Sequence, residues 1–594
     1  MYFHRNIVIC KGSMTGLLVS NNAIVTHNSV YSAGGTGHGI DLINSTVSEE
    51  ISNNLIEGLI SVAAATVNSV FSGNAVFAAS SFQQLTGVTI SDNTFYDADV
   101  DVTAALADST ISDNVFGGVG DSLDIQLAMT NSTVTGNRFN SQLSFGTTIT
   151  DSIVSNNIVE GLLLVTGGAI TSSVLDGNAI VGGGVFGQLA SMTFSDNVFT
   201  ADVNVTAAVD DSTISGNVFS GGTDSLDIQS TIATSTIVGN KFDNDLLFKS
   251  TVNNSIIGDN KIDGYLSVSG LASESVFNGN KVGAGLFEQL TEVTISDNIF
   301  TAGVATTAVA ALVTISNNVF GTLGDTTNSL HVRDEITNCT ISGNFFYYSL
   351  TLEDTITNCV ISGNTINYMV PHLVYYCTVV GNIIGPWTGA NYGITHSKVN
   401  GNTFSHLTTR YTNNVVWNGN RHIGEFLIES LTAATPVAQQ FNCSGNLFED
   451  SVTFRHSAGQ VASDTNSLNE VSINGNTFES GLIIGQAGET DQHNWTRSIF
   501  SNNCGTGHWV FNADNTNALQ EVNIIGNNIN GNLDFVCGAG DLDMPAAADG
   551  DLHIIALNYF SSYPANGTAA MVIDNAKSLG WGTGDDGAVI GSNK

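Results

Sequence analysis

The chain has 594 residues, 42% of them hydrophobic, and 53 Asp and Glu against only 15 Lys and Arg, for a formal net charge of -38. So anionic a surface repels nucleic acid and anionic membranes and makes both poor partners. Five prolines and 11% charged residues leave few breaks and few helix-type surfaces, and seven cysteines, an odd number, argue against a disulfide framework.

The opening "MYFHRNIVIC" lacks the longer apolar run and small-residue cleavage site of a secretory leader, and no later stretch reaches the length of a membrane span. A short phrase then takes over: an apolar residue, two small polar ones, Asn, any residue, and Phe, Ile or Val. It reads "VTISDNTF" ending at Phe95, "STISDNVF" at Phe116, "STVTGNRF" at Phe139, "MTFSDNVF" at Phe199 and "STISGNVF" at Phe219. Its asparagines run from a first member at Asn22, through Asn93, Asn114, Asn137, Asn197, Asn217, Asn240, Asn298, Asn344 and Asn364, to Asn527. Most steps are about 18 to 23 residues, a period that predicts a solenoid.

In "T-I-S-D-N-V-F" the Ile alternates with polar neighbours, the signature of a strand with one buried face. The Asn is expected at a turn, in left-handed backbone geometry. With one phrase per coil, successive Asn side chains stand about 4.8 Å apart and can bond as an internal ladder, beside a column of Phe and Ile. About two dozen coils make a stack roughly 110 to 120 Å long.

The "xIxxNxF" coil resembles the right-handed parallel β-helix of the pectate-lyase-like superfamily, which includes secreted polysaccharide lyases and phage tailspikes. The resemblance covers roughly residues 15 to 535, and it implies an all-β, single-stranded right-handed solenoid without implying one function. On this reading 1–40 starts or caps the solenoid and 41–350 is regular helix. Residues 351–533 form wider coils with loop insertions, and 534–594 leave the pattern as a cap or junction.

A longer repeat overlies the coils. "NLIEGL" at 54–59, "NIVEGL" at 157–162 and "NKIDGYL" at 260–266 recur about every 103 residues, as do "DSLDIQ" at 121–126 and 224–229 and "NSLHVR" at 328–333. Apolar runs such as Leu162, Leu163, Leu164 and Val165, with like runs at 58–62, 245–248 and 481–484, predict an outward apolar stripe for self-association. Trimeric packing is what the resembling fibres and spikes imply. Cys339, Cys359 and Cys377 each stand five residues before a ladder Asn, where other coils carry Ser109, Ser132, Ser152, Ser173 and Ser212, and are expected as a buried, unlinked column with no metal.

Candidate chemistry falls in two places. Asp334 and Asp354, each ten residues before its ladder Asn, would stand on the order of 5 Å apart on adjacent coils, as in a retaining glycosidase, or could hold Ca²⁺ by oxygen ligation; no other cofactor is implied. The wider coils concentrate Trp417, Arg421, His422, Trp495 and Trp509, residue types that suit stacking and rim hydrogen bonds on sugars. Duplicated modules, few catalytic candidates and the missing leader favour an extracellular virion protein, a tail fibre or tailspike bound to other virion proteins and touching host-surface polysaccharide. The alternatives are a polysaccharide-degrading tailspike or secreted β-helix enzyme, a lyase or glycoside hydrolase, and a microbial surface adhesin.

Overall fold

The computed structural model describes residues 2–556 apart from 12–15, 20–21, 34–37, 43–45, 97–98, 323–327, 389–392, 431–436, 457–465, 485–493, 514–518, 521–522, 531–532 and 538–552; beyond 556 it describes only the backbone strands Tyr559–Phe560 and Ala588–Ile590. Among the described residues there is no helix. Two compact units, Met1–Ile299 and Phe300–Lys594, are each wound from short strands that pair in parallel with the equivalent strand of the next coil. The chain is a parallel β-helix. The expected C-terminal cap at 534–594 lies mostly outside the described residues.

One coil shows how the phrase produces the turn. Thr89–Ser91, Thr94–Phe95, Val100–Val102 and Leu106–Ala107 are its four strands. Ile90 and Phe95 point inward and are buried, whereas Thr89, Ser91 and Thr94 face out, as period-two alternation requires. The left-handed residue is the one before the ladder Asn, not the Asn itself, which corrects the sequence reading: Asp92 has φ 58°, Asp113 57° and Gly216 66°. A second left-handed residue, such as Asp108 at φ 49°, stands at the other end of the three-residue strand Thr110–Ser112. Asp, Asn and Gly tolerate this geometry best, which is why "SDN" and "SGN" alternate freely in the phrase. The bend turns the following Asn into the core.

There the ladder forms as expected. The backbone N–H and the Nδ2 of Asn93 both donate to Oδ1 of Asn114 at 2.9 Å, and the same Nδ2 donates to the Phe71 carbonyl at 2.8 Å. The pattern repeats from Asn114 to Asn137 and from Asn197 through Asn217 to Asn240, and it reaches Asn298 in the first unit. In the second unit it links Asn344 to Asn364 and runs on to Asn527. Near the N-terminus the member is Asn28, which bonds to Asn54, and not Asn22, which takes a left-handed bend at φ 57°. Beside the amides, Phe95, Phe116 and Phe139 stack at 5.2 and 4.9 Å, as do Phe300, Phe320 and Phe346 at 5.3 and 4.9 Å.

The serine column is a second polar ladder. Ser109 N–H donates to Ser132 Oγ, and Ser132 N–H to Ser152 Oγ, each at 3.1 Å. In the second unit sulfur replaces oxygen: Cys339 N–H points to Cys359 Sγ at 3.3 Å and Cys359 N–H to Cys377 Sγ at 3.4 Å. All three are buried and unlinked, and contact with Cys359, then burial, hold the Cys339 thiol well above its ordinary range. Because serine performs the same task elsewhere, Cys359→Ser is expected to shift the unfolding free energy by less than about 1 kcal/mol, measurable by chemical denaturation.

The long repeat has a structural signature too. Asp121–Ile125 and Asp224–Ile228 carry the same register shift, and the shift recurs in Asn328–Val332. In each, the serine is buried and accepts a backbone N–H from the next coil at 2.9 Å: Ser122 from Ser141, Ser225 from Asn244, Ser329 from Tyr348. The outward apolar stripe, by contrast, is not continuous. Leu163 and Val165 are buried; Leu164 faces out between Ser144 and Val185, but the column goes on to Asn204 and Asp227 before Leu247. Strand alternation divides each apolar run between the two faces.

Candidate functional site

The wider coils place their tryptophans inside. Trp387, Trp417 and Trp509 are 0%, 0% and 1% exposed, and His422 is 0% exposed, so none of these presents a face to a sugar. The reason lies in the register. Trp417 pairs with Val399 and Cys443 at the inward centre of its strand, where most coils have Ile, and His422 pairs with Phe404 and Phe448 in the Phe column. The "VVWNGNRH" segment is the phrase "xTISGNxF" with larger letters. His422 stacks between Phe404 at 4.9 Å and Phe448 at 4.7 Å, and its Nε2 accepts the Trp417 indole N–H at 3.0 Å. Burial pushes its pKa down to about 3, so it is neutral, with its proton on Nδ1. The side chain of Trp495 lies outside the described residues. Arg421 does point outward, where it pairs with Glu449 at 2.5 Å, and Arg455 meets Glu429 of the preceding coil at 3.0 Å.

Strand pairing brackets the carboxylates on both sides. Val332 pairs with Leu352 and Ile336 with Ile356, which sets Asp334 over Asp354 on the outside of adjacent coils. Each is tied first to its own chain: Asp334 accepts the Glu335 N–H at 2.8 Å, and Asp354 accepts the Thr355 N–H at 2.6 Å and its hydroxyl at 3.2 Å. One position back, Glu353 pairs with His331 Nε2 at 2.7 Å. Among the described residues, no group of three or more His, Cys, Asp or Glu is arranged to hold a metal ion.

The coils that carry this acidic strip and the ones after it also hold outward aromatics that the sequence reading passed over. Phe345 and Tyr348 are 37% and 38% exposed at the start of the strand that carries Glu353 and Asp354. Tyr347 packs edge-on against Phe345 at 4.7 Å. On the next coils Tyr375, Tyr376 and His396 form a ring cluster at 4.2 to 5.4 Å, with Tyr376 half exposed. Outward rings beside carboxylates and an imidazole can stack on a sugar face and bond its hydroxyls. Parity could have found Tyr347 and Tyr375, one step from buried Phe346 and Val374, but not Tyr348, which stands in a register shift, or Tyr376, which takes a left-handed bend at φ 54°.

Comparison with known proteins adds little to this picture. No protein family matches the chain, and no curated protein matches it. Among solved structures, a mutant of the PL6 family alginate lyase AlyGC is similar over 97% of this chain and 99% of its own, at 10% identity and a TM-score of 0.19. So loose a superposition carries no argument, and the fold rests on the strand register described above.

Proposed function

We propose that this chain is a structural and adhesive virion protein, a fibre or spike that touches host-surface glycans. The observation that carries the reading is the concentration of outward aromatics on neighbouring coils: Phe345, Tyr347 and Tyr348 ahead of Glu353 and Asp354 in one coil, and Tyr375 and Tyr376 past the matching turn of the next. Repetition of a module whose register shift and buried serine recur adds coils while conserving the section of each, which suits reach more than chemistry. Exposed stacking gives weak affinity per site, so association of copies, a trimer in this proposal, would supply avidity together with attachment to other virion proteins.

Glycan cleavage is the second reading, favoured by Asp334 standing over Asp354. One experiment separates the two: purified protein is bound to intact bacterial cells and to immobilised polysaccharides, and the medium is assayed for released oligosaccharide. Tyr348→Ala with Tyr376→Ala is expected to weaken binding about tenfold, near 1.4 kcal/mol. Asp334→Asn with Asp354→Asn is expected to leave binding unchanged. Retention of full binding by the Tyr pair sinks the contact assignment, and loss of a measured depolymerase activity in the Asp pair makes the chain an enzyme.

A further inference from the structure

One ladder position changes its chemistry inside the second unit. Val313 donates its N–H to Cys339 Sγ at 3.3 Å, Cys339 to Cys359 Sγ at 3.3 Å, Cys359 to Cys377 Sγ at 3.4 Å, and Cys377 to Ser397 Oγ at 3.0 Å. The run of sulfur covers three consecutive coils, with Val before it and Ser after it. Sulfur is a weaker acceptor than a hydroxyl oxygen, so as ladder members the cysteines gain nothing over serines. What they add is redox chemistry. The residues that follow them are in register, Thr340 with Val360 and Val360 with Thr378, which stacks the cysteines one rung apart. Their side chains share one pose: each thiol donates to the carbonyl two residues back, Thr337, Thr357 or Tyr375, at 3.1 to 3.2 Å. A rung of about 4.8 Å lies inside the Cα separation of about 4.4–6.8 Å that a disulfide spans, whereas two rungs do not.

We infer that Cys339, Cys359 and Cys377 form a modification site at which oxidation makes one disulfide, always through Cys359 and to either neighbour. The oxidant is a small disulfide such as oxidised glutathione. A cysteine thiolate attacks one of its sulfurs and expels one small thiolate; the neighbouring cysteine then attacks the protein sulfur of that mixed disulfide and expels the second. Two protein thiols become one bridge, one small disulfide becomes two thiols, and the two cysteine protons pass to the leaving groups. Cys377 suits the first attack, because contact with Cys359 lowers its thiol below the ordinary value against the upward push of burial. The third thiol can move the bridge: with Cys339 and Cys359 linked, Cys377 attacks Cys359 and frees Cys339. All three thiols are buried, but each follows directly on a left-handed corner residue, Asn338, Asn358 or Tyr376, so a local opening of the corner suffices to reach them. The bridge spans 20 residues from Cys339 to Cys359 or 18 from Cys359 to Cys377. The first span carries Phe345, Tyr348 and Glu353, the second Tyr375 and Tyr376. Oxidation therefore fastens the coils that present the outward aromatics, whether or not those rings meet a glycan.

The test uses the full chain carrying Cys504→Ser, which removes an exposed thiol. Reduced protein is treated with oxidised glutathione in native buffer, quenched with acid, alkylated in denaturant and mapped as non-reduced peptides by mass spectrometry. A Cys339–Cys359 or Cys359–Cys377 peptide pair is expected, and no Cys339–Cys377 pair. Cys339→Ser should keep the bridge from Cys359 to Cys377, Cys377→Ser the bridge from Cys339 to Cys359, and Cys359→Ser should abolish both. Hydrogen exchange in the coils from 339 to 377 should slow about tenfold on oxidation, and should not respond in Cys359→Ser, which the serine column accommodates. Three free column thiols after native oxidation, glutathione held on one of them without a bridge, or a bridge that forms only in denaturant would each overturn the inference. So would a Cys339–Cys377 pair in Cys359→Ser, or hydrogen exchange that the bridge leaves unaltered.

Discussion

Asn217→Leu will lower the unfolding free energy by about 1–3 kcal/mol, although the substitution puts a hydrophobic residue into a hydrophobic core. The reason is the number of groups that depend on one amide. Asn217 Oδ1 accepts both the backbone N–H of Asn197 at 2.9 Å and its Nδ2 at 3.0 Å; the amide keeps the Leu175 and Ser195 carbonyls, but Leu strands the buried backbone N–H on the preceding coil. Its own Nδ2 donates to the Phe194 carbonyl at 2.8 Å and to Asn240 at 2.9 Å, and those acceptors lose a partner as well. Each buried group left unsatisfied costs about 1–3 kcal/mol, more than the transfer gain of a leucine side chain recovers. The damage should spread along the coil axis, since each coil touches only its neighbours. Hydrogen exchange should therefore show lost protection in the coils of both Asn197 and Asn240, and a denaturation midpoint equal to wild type would remove the ladder's energetic role.

Most of the fold was readable because every coil repeats the same local solution. The Ile or Phe of "T-I-S" and the Phe after the Asn define an inside by parity alone, and Asn at a fixed offset defines the ladder. Two details escaped. The left-handed bend was assigned to Asn93 and its equivalents, although the interchange of Asp92, Gly136 and Gly216 one residue earlier already marked where positive φ is needed. The ladder's first member was set at Asn22, whereas the rung there is Asn28, with Asn6 before it: "NNAIVTHN" offers both Asn22 and Asn28, and only the pairing of Val25 with Ile51 decides between them.

The candidate site was less legible, and the failure has a physical cause. Trp417, His422 and Trp509 were read by residue type, as sugar-stacking groups, when their register already placed them inside. Trp417 occupies the Ile position of its phrase and His422 the Phe position. Residue type suggests chemistry only after parity has said which way the side chain points. The same rule leaves Tyr347 and Tyr375 outside, where chemistry with a partner is open to them, whereas Tyr348 and Tyr376 reach the surface at a register shift and a left-handed bend that parity does not cover. What a sequence of this kind does not encode is the partner, because outward positions are free of the constraints that make the inward ones repeat.

Acid should destabilise the second unit through one histidine, and His422→Phe should remove that sensitivity. His422 is fully buried in the aromatic column, and burial lowers its pKa from 6.5 to about 3. The depressed value sets the sign. Above pH 6.5 the imidazole is neutral in both the folded and unfolded chain and contributes no pH dependence. As pH falls from 6.5 toward 3, the unfolded chain binds a proton that the folded one refuses, and stability drops by about 1.4 kcal/mol per pH unit. Near pH 5 the deficit from this residue alone is therefore about 2 kcal/mol. Phe is the natural replacement, since Phe404, Phe448 and Phe478 fill the same position on neighbouring coils and stack in register. At neutral pH the variant gives up the Trp417 hydrogen bond, a loss of about 1–3 kcal/mol for an indole N–H left without its acceptor. Below pH 6 the two curves should converge and then cross, because only the wild type keeps losing stability at this site. Denaturant midpoints for both proteins between pH 4 and 8 measure the difference, and parallel curves over that range would show that His422 takes up a proton inside the folded coil.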